Sequence, residues 1–448
     1  MFLCIVESGL HRSDTCLATG PFGFLDPDLQ YNGTRFTTGT FGFRRVCRRW
    51  NEVAVGSPQL WVRWTSGAVK AWPLFKARSK GAPIFLKWRT HHLPASGLGV
   101  LADPAIPGRI HQLDFIGTSK QLEQLLDTFN SSPPSNASSI RLQSTFCERT
   151  GDDTEEHLAR FLPFSFPKLS RLVIEGFHPD TSSSLLVTSN LTSLKLTFPY
   201  GIRPRDTLAQ FSRILQKHPN LQELYLKNGA MPRVESAENP VPFALPRLTD
   251  LKLCGSAECI LGLVNLIGTS FPPNNVVFEF RYPRDQDVPA LVDTVKKILA
   301  AYYEREALDH PRRAHHLSVE SRPGGDHDPI TFVARPPAGP VHTPQPVLKL
   351  QFWKMDELMH ILPLFPLNDV QQFTIDGLFL SSKDHHRLLQ KMKDISHLEL
   401  AAMDIGPVLE ALDSRNRGVS KQPLRHRVEP LTCTQITRLN GLSPNSQH

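Results

Sequence analysis

Seven fragments of this chain place apolar residues at offsets 0, 3 and 5, and no other feature limits the fold as strongly. They begin at Ile110, Leu169, Leu191, Leu221, Leu248, Val370 and Ile395, reading for example LTSLKLTF, LQELYLKNG and LTDLKLCG. Offsets 3 and 5 differ by two, so both side chains fall on one face of a strand and the residue between them falls on the other. The starts at Leu169, Leu191, Leu221 and Leu248 lie 22, 30 and 27 residues apart. Helix-period stripes occupy the gaps. Leu122, Leu125, Leu126 and Phe129 follow the first fragment, and Leu208, Phe211 and Leu215 precede Leu221. Leu291, Val295, Ile298 and Tyr302 make the longest such stripe. Strand and helix alternating in units this short predict an α/β chain with a parallel sheet and helices outside it.

A unit of that length cannot bury its own apolar face, so neighbours must stack. The L-x-x-L-x-L spacing is the core of a leucine-rich repeat, and leucine supplies 59 of the 448 residues. Residues 85–413 are therefore expected to form an open leucine-rich-repeat-like solenoid, with its strands on the concave side over 160–413. A doubly wound α/β domain is the competing architecture, but the chain has no phosphate loop of the kind such domains carry. The Pro/Gly-rich stretch 321–346 reads as a surface excursion between repeats, part of it extended. Residues 1–42 show no sustained period and are expected to be irregular or disordered. From Ser414 the periodicity stops again, and 414–448 is expected to be a basic disordered tail.

The residue at offset 4 points away from the stacked leucines. In consecutive fragments it is Val173, Lys195, Tyr225 and Lys252, with Lys227 two residues past Tyr225 on the same face. An aromatic ring among lysines offers apolar area together with steering charge, which suits an acidic or phosphorylated segment of a partner protein. A merely solvated face is the alternative.

Upstream of the repeats, FRRVCRRWNEVAVGSPQLWVRW sets Val46, Trp50, Val53 and Ala54 at i, i+4, i+7 and i+8, one apolar face of a helix. Gly56 ends it. Ser57-Pro58 then supplies an N-cap and a first-turn proline for a short second helix bearing Leu60 and Trp61. A further short helix, a turn at Gly81 and a strand from Ile84 to Trp88 are expected next. The stretch Val46 to Trp61 resembles the second half of the F-box motif, particularly the form common in mushroom-type fungi, through Val46, Cys47, Arg48, Trp50, Pro58, Leu60 and Trp61. KARSKGAPIFLKW is similar to the segment that follows the motif in those proteins. The resemblance makes 43–64 a short all-α partial F-box. It implies a non-catalytic substrate receptor of a Skp–cullin–F-box ubiquitin ligase. Val46, Cys47, Trp50, Leu60 and Trp61 would contact the Skp adaptor, and the repeats would hold a protein substrate. The motif's opening L-P-x-E helix and the second apolar helix that follows it have no counterpart, since LDPDLQYNGTRFTTGTF carries neither amphipathic stripe. That departure keeps open a second role, a leucine-rich scaffold for protein–protein interaction without ubiquitin-ligase assembly.

Sequence motifs for catalysis are lacking: no G-x-x-x-x-G-K-[ST], no G-x-G-x-x-G after a strand, no H-E-x-x-H and no G-x-S-x-G. No enzyme activity, cofactor or metal is expected. Cys254 and Cys259 lack a second Cys or His pair, and the adjacent pairs His91-His92, His315-His316 and His385-His386 point their side chains apart. Asp152, Asp153, Glu155 and Glu156 follow Gly151 and suit the positive end of a helix rather than acid–base chemistry. The net charge of +7 is concentrated in the tail, where six basic residues face Glu429 alone, so nucleic acid is not an expected partner. No apolar run spans a bilayer, the seven cysteines read as reduced thiols, and the chain is expected in cytoplasm or nucleus, with no membrane partner.

Overall fold

The computed structural model describes residues 52–53, 55–89, 96–129, 132–145, 164, 166–177, 184–187, 190–198, 207–234, 241–267 and 275–280. Beyond these it describes 289, 292–293, 295–296, 316–321, 330–335, 347–352, 360, 370, 372–376, 383, 386–387 and 397–401. The chain forms two compact units. The first comprises residues 1–311 and 339–353, the second 312–338 and 354–448.

The strands are β1 (Arg63–Thr65), β2 (Ile84–Arg89), β3 (Ile110–Gly117), β4 (Ser139–Ser144), β5 (Arg171–Glu175), β6 (Ser193–Thr197) and β7 (Glu223–Lys227). They continue as β8 (Asp250–Gly255), β9 (Asn275–Phe280), β10 (His316–Ser321), β11 (Ile330–Arg335), β12 (Val347–Phe352), β13 (Gln372–Asp376) and β14 (His397–Ala401). The helices are α1 (Trp72–Ser79), α2 (Ser96–Leu101), α3 (Ser119–Phe129), α4 (Ser184–Val187), α5 (Leu208–Gln216) and α6 (Ala257–Ile267).

In the first unit, β1 to β9 lie side by side in sequence order and every pairing is parallel. The expected α/β architecture with a parallel sheet is thus present. Register explains the 0-3-5 spacing. Leu86, Leu113, Ile140, Leu172, Leu194, Leu224, Leu251 and Val276 pair in one continuous row. Trp88, Phe115, Leu142, Ile174, Leu196, Leu226, Leu253 and Phe278 pair in a second. All sixteen are buried.

In the fragments that start at Leu169, Leu191, Leu221 and Leu248 the offset-0 residue sits just before the strand. There the N–H of Leu221 donates to His218 O at 3.0 Å and that of Leu248 to Leu245 O at 3.1 Å. The following carbonyl accepts two N–H groups from the next repeat. Thr192 O takes Gln222 N at 2.8 Å and Glu223 N at 3.0 Å, and Gln222 O takes Thr249 N at 2.8 Å and Asp250 N at 2.9 Å. Backbone groups between strands are therefore satisfied by the neighbouring repeat, which fixes the stacking register.

α3, α5 and α6 fall in the gaps between strands, and their apolar stripes are buried, including Leu122, Leu125, Leu126, Phe129, Phe211 and Leu215. α5 opens with a capping box: Thr207 Oγ1 accepts from Gln210 N–H, and Gln210 Oε1 accepts from Thr207 N–H. Of the longest stripe, Val295 is buried, while Leu291, Ile298 and Tyr302 lie outside the described residues.

Three expectations are corrected. The repeats do not run as one unbroken array over 85–413, because the chain divides into two units and β12 returns to pair in parallel with β9. The stretch 321–346 is extended in part, as expected, but is not confined to the surface. Ile330–Arg335 forms β11, antiparallel to β10, and buries Phe332 and Val333, so an apolar T-F-V-A run finds a sheet despite its Pro/Gly-rich flanks. In the same unit β10 pairs in parallel with β13, and β13 with β14. Finally, the segment 43–64 is not wholly helical. Pro58–Trp61 is a single 3-10 turn without a Ser57 side-chain cap, and β1 starts the sheet two residues later.

Candidate functional site

The first repeats end in an aromatic cap. Trp64 and Trp72 stand 5.6 Å apart, Trp72 and Trp88 5.7 Å, and Trp61 and Phe75 5.6 Å. The indole N–H groups of Trp64 and Trp72 donate to Trp61 O and Thr65 O. The Arg78 guanidinium lies 4.5 Å over the Trp61 ring. Trp61, expected to contact an adaptor, is instead 2% exposed and packed into this cap. Its motif position places it one residue before buried Val62, so it follows the sheet rather than a free helix. Leu60 is half-buried, and Val53 is exposed. Val46, Cys47 and Trp50 lie outside the described residues, as do the 1–42 segment, the acidic cluster and the 414–448 tail.

A second cluster lies on the sheet face turned away from the leucine rows. Lys195, Tyr225 and Lys252 are direct register partners on β6, β7 and β8. Lys195 Nζ lies 5.1 Å and Lys252 Nζ 4.7 Å from the Tyr225 ring centroid. Each ammonium reaches the ring from a different neighbouring strand, and such contacts are worth about 0.5–1 kcal/mol at accessible sites. All three side chains are half-buried, so the ring is held yet reachable. Lys227 joins the same face, in register with Thr197 and Cys254. Cys254 is fully buried, which removes its thiol from surface chemistry, and burial raises the Cys259 thiol above its ordinary value.

Val173 belongs to the row by register but not by exposure. It is 6% exposed, because Arg141 and Lys195 flank it on β4 and β6 and both reach to Glu175 on its own strand. Val173 is therefore withdrawn as a contact residue. Lys195 Nζ donates to Glu175 Oε1 at 2.7 Å and Arg141 donates to Glu175 Oε2 at 3.3 Å. Partial burial alone would raise the Glu175 carboxyl; the Lys195 and Arg141 contacts more than reverse this and hold it below the ordinary carboxylate range.

Four residues of this face went unnoticed in the sequence: Glu175, Arg141, Glu223 and Asp250. The last two precede Tyr225 and Lys252 by two residues and pair with each other. Ser193 Oγ donates to Glu223 Oε2 and Thr249 Oγ1 to Asp250 Oδ2, both at 2.7 Å. The signal was available, since residues two apart in a strand share a face.

Among the described residues no group of three or more His, Cys, Asp or Glu side chains could hold a metal ion, and no helix is long and apolar enough to cross a membrane. No family model matches the chain, and a search of curated proteins found no match.

Proposed function

We propose that this chain is a non-catalytic, leucine-rich-repeat-type receptor that captures a segment of a partner protein on the β6–β8 face. In this reading its F-box-like segment, Val46 to Trp61, docks on the Skp adaptor of a cullin–RING ubiquitin ligase. The carrying observation is the in-register row Lys195–Tyr225–Lys252, in which one aromatic ring is fixed between two ammonium groups. A ring already ordered loses little further entropy on binding, and flanking charge raises the rate of encounter. Lys227 extends the basic area by one row.

The role in ubiquitin-ligase assembly rests on the motif resemblance. A plain interaction scaffold is the second reading, favoured by the placement of Trp61 inside the aromatic cap, where it offers little surface to an adaptor. Two pull-downs separate them. The chain is expected to bind the purified Skp adaptor weakly, with Trp50→Ala removing what binding there is. A version carrying a complete F-box should bind tightly. Tight binding by this chain that ignores Trp50→Ala would overturn the assignment of adaptor docking to Val46–Trp61. For the capture face, Lys195→Glu, Tyr225→Ala and Lys252→Glu combined should abolish co-purification of the partner with Tm within a few degrees of the parent. Undiminished capture by that folded variant would place the binding site elsewhere.

A further inference from the structure

The face of β1 to β9 turned away from the leucine rows is not uniform in charge. Over β1 to β3 it presents Arg63, Lys87 and Arg89 against Asp114 alone. Over β4 to β9 it presents five basic side chains and four acidic ones, and Glu175 engages two of the five. Positive charge is therefore densest at the capped end of the sheet, away from Tyr225. Phe85 stands among these cations, and at 37% exposure it is the one exposed aromatic ring among the described residues. A lone exposed apolar residue needs no explanation, but this ring is held. The register slips between Ile84 and Phe85, so β3 carries His111 there as an extra residue. The His111 ring lies 5.9 Å from the Phe85 ring and nearly perpendicular to it. Ser138 Oγ stands 3.1 Å from His111 Nε2 and fixes that imidazole in turn. On the other side of Phe85, Arg63 is its direct register partner on β1. At the end of β2, Ser66 Oγ donates to Arg89 O at 2.7 Å and accepts from Arg89 N–H at 2.9 Å, which anchors the backbone that carries this guanidinium.

We infer that Arg63, Phe85, Lys87 and Arg89 form a second docking surface, which takes an acidic segment of a partner protein with an apolar side chain seated on the Phe85 ring. Lys87 and Arg89 make contacts of their own within the chain, so the attraction comes from the net charge of the patch and not from an unpaired cation. Phe85 and Tyr225 are five strands apart, about 24 Å. This surface is thus separate from the β6–β8 face and does not depend on the reading given to that face. A ring already ordered offers apolar area at little cost in side-chain entropy, and the surrounding positive charge selects an acidic ligand. Single-stranded nucleic acid is the other polyanion that meets an aromatic ring among cations. It carries a charge on every residue, and laid across the sheet it meets Asp114 on β3 and Glu175 on β5. A peptide can set neutral or basic residues at those places, which favours protein.

Fluorescence anisotropy on the purified full chain at low salt tests this with short labelled probes. One peptide has leucine between two pairs of glutamates, one has glutamine for every glutamate, and one has alanine for the leucine. A single-stranded RNA of similar length is the last probe. The first peptide should bind tightest, with the other two roughly three- to tenfold weaker and the RNA no tighter than those. Phe85→Ala should remove the advantage of leucine over alanine, and Arg63→Glu the advantage of glutamate over glutamine. Both side chains are exposed, so the thermal melts of these variants should match that of the parent. The Lys195→Glu, Tyr225→Ala, Lys252→Glu variant should keep both preferences. If Phe85→Ala or Arg63→Glu leaves its preference untouched, the surface is wrong, and loss of binding in the triple variant would then assign the peptide to the β6–β8 face. RNA bound most tightly and weakened by Phe85→Ala, or no binding of the first peptide by the parent, would equally overturn the inference.

Discussion

Truncating Leu194 to alanine tests the repeat register more directly than any binding assay. Leu194 is fully buried on β6 and lies between Leu172 and Leu224 in the same apolar row, with Leu196 beside it in the next. The strands that hold these neighbours are pinned by backbone bonds on both sides, so they cannot collapse far into the space left. Leucine-to-alanine changes at such sites cost about 3–5 kcal/mol, the upper part of the range applying where the walls do not relax. For a unit of this size each kcal/mol lowers Tm by roughly 2–4 °C, so a drop of roughly 10 °C is expected. Leu194→Asp adds the cost of a buried unpaired carboxylate to the same cavity. Together these approach the whole stability of an ordinary domain, roughly 5–15 kcal/mol, and the repeats around β6 should not fold. Lys195→Ala is the internal control. It removes a half-exposed ion pair and one cation–π contact from the other face, and should cost no more than about 1–2 kcal/mol. Urea unfolding followed by far-ultraviolet circular dichroism reads all three. Equal midpoints for Leu194→Ala and Lys195→Ala would mean that the two residues have exchanged faces, and the register would be refuted.

Gly176, at φ +83°, closes β5 beside β4, and a Cβ there would stand 2.8 Å from Ser144 Cβ. Gly176→Ala should therefore cost about 1–3 kcal/mol by denaturant midpoint, and a neutral result would exclude this close approach. Trp61→Ala should destabilise the first unit by about 3–5 kcal/mol, because the ring is core of the aromatic cap; an unchanged melt would restore Trp61 as an adaptor contact. The Glu175 carboxyl is depressed in the folded chain, so its contribution is complete above the unfolded carboxylate value and is lost as pH falls through the lower folded value. Glu175→Gln should accordingly be less stable than the parent at pH 7 and converge with it below about pH 4 in urea melts; a constant gap across that window would remove the ion pairs as the cause.

Elements with three apolar anchors were legible. All seven 0-3-5 fragments became strands, and in the five from Ile110 to Leu248 offsets 3 and 5 fill adjacent buried rows. β4 escaped detection since its offset-0 position is Ala137, fully buried but too small to register as an anchor beside Ile140 and Leu142. β1 escaped because three residues, Arg63–Thr65, carry no period, and Trp64 was absorbed into a motif that reads as helical. The return of β12 to β9 pairs segments far apart in the chain, which local spacing does not encode, and the β10–β11 hairpin is local but its strands lack the offset-0 anchor.

The missed strand also explains what went wrong at the site. With β4 absent, β5 has no neighbour on that side, so Val173 reads as an exposed member of the row and Arg141 as an unplaced base. Adding β4 in register puts Arg141 against Val173, supplies the second partner of Glu175, and closes the valine from both sides. The middle row was readable at offset 4 alone. The rows on either side of it required reading offsets 2, 4 and 6 together, because Ser193, Glu223 and Asp250 occupy the first of these and Thr197, Lys227 and Cys254 the last. A strand face is a grid, and one row of it fixes the chemistry at a point without its direction.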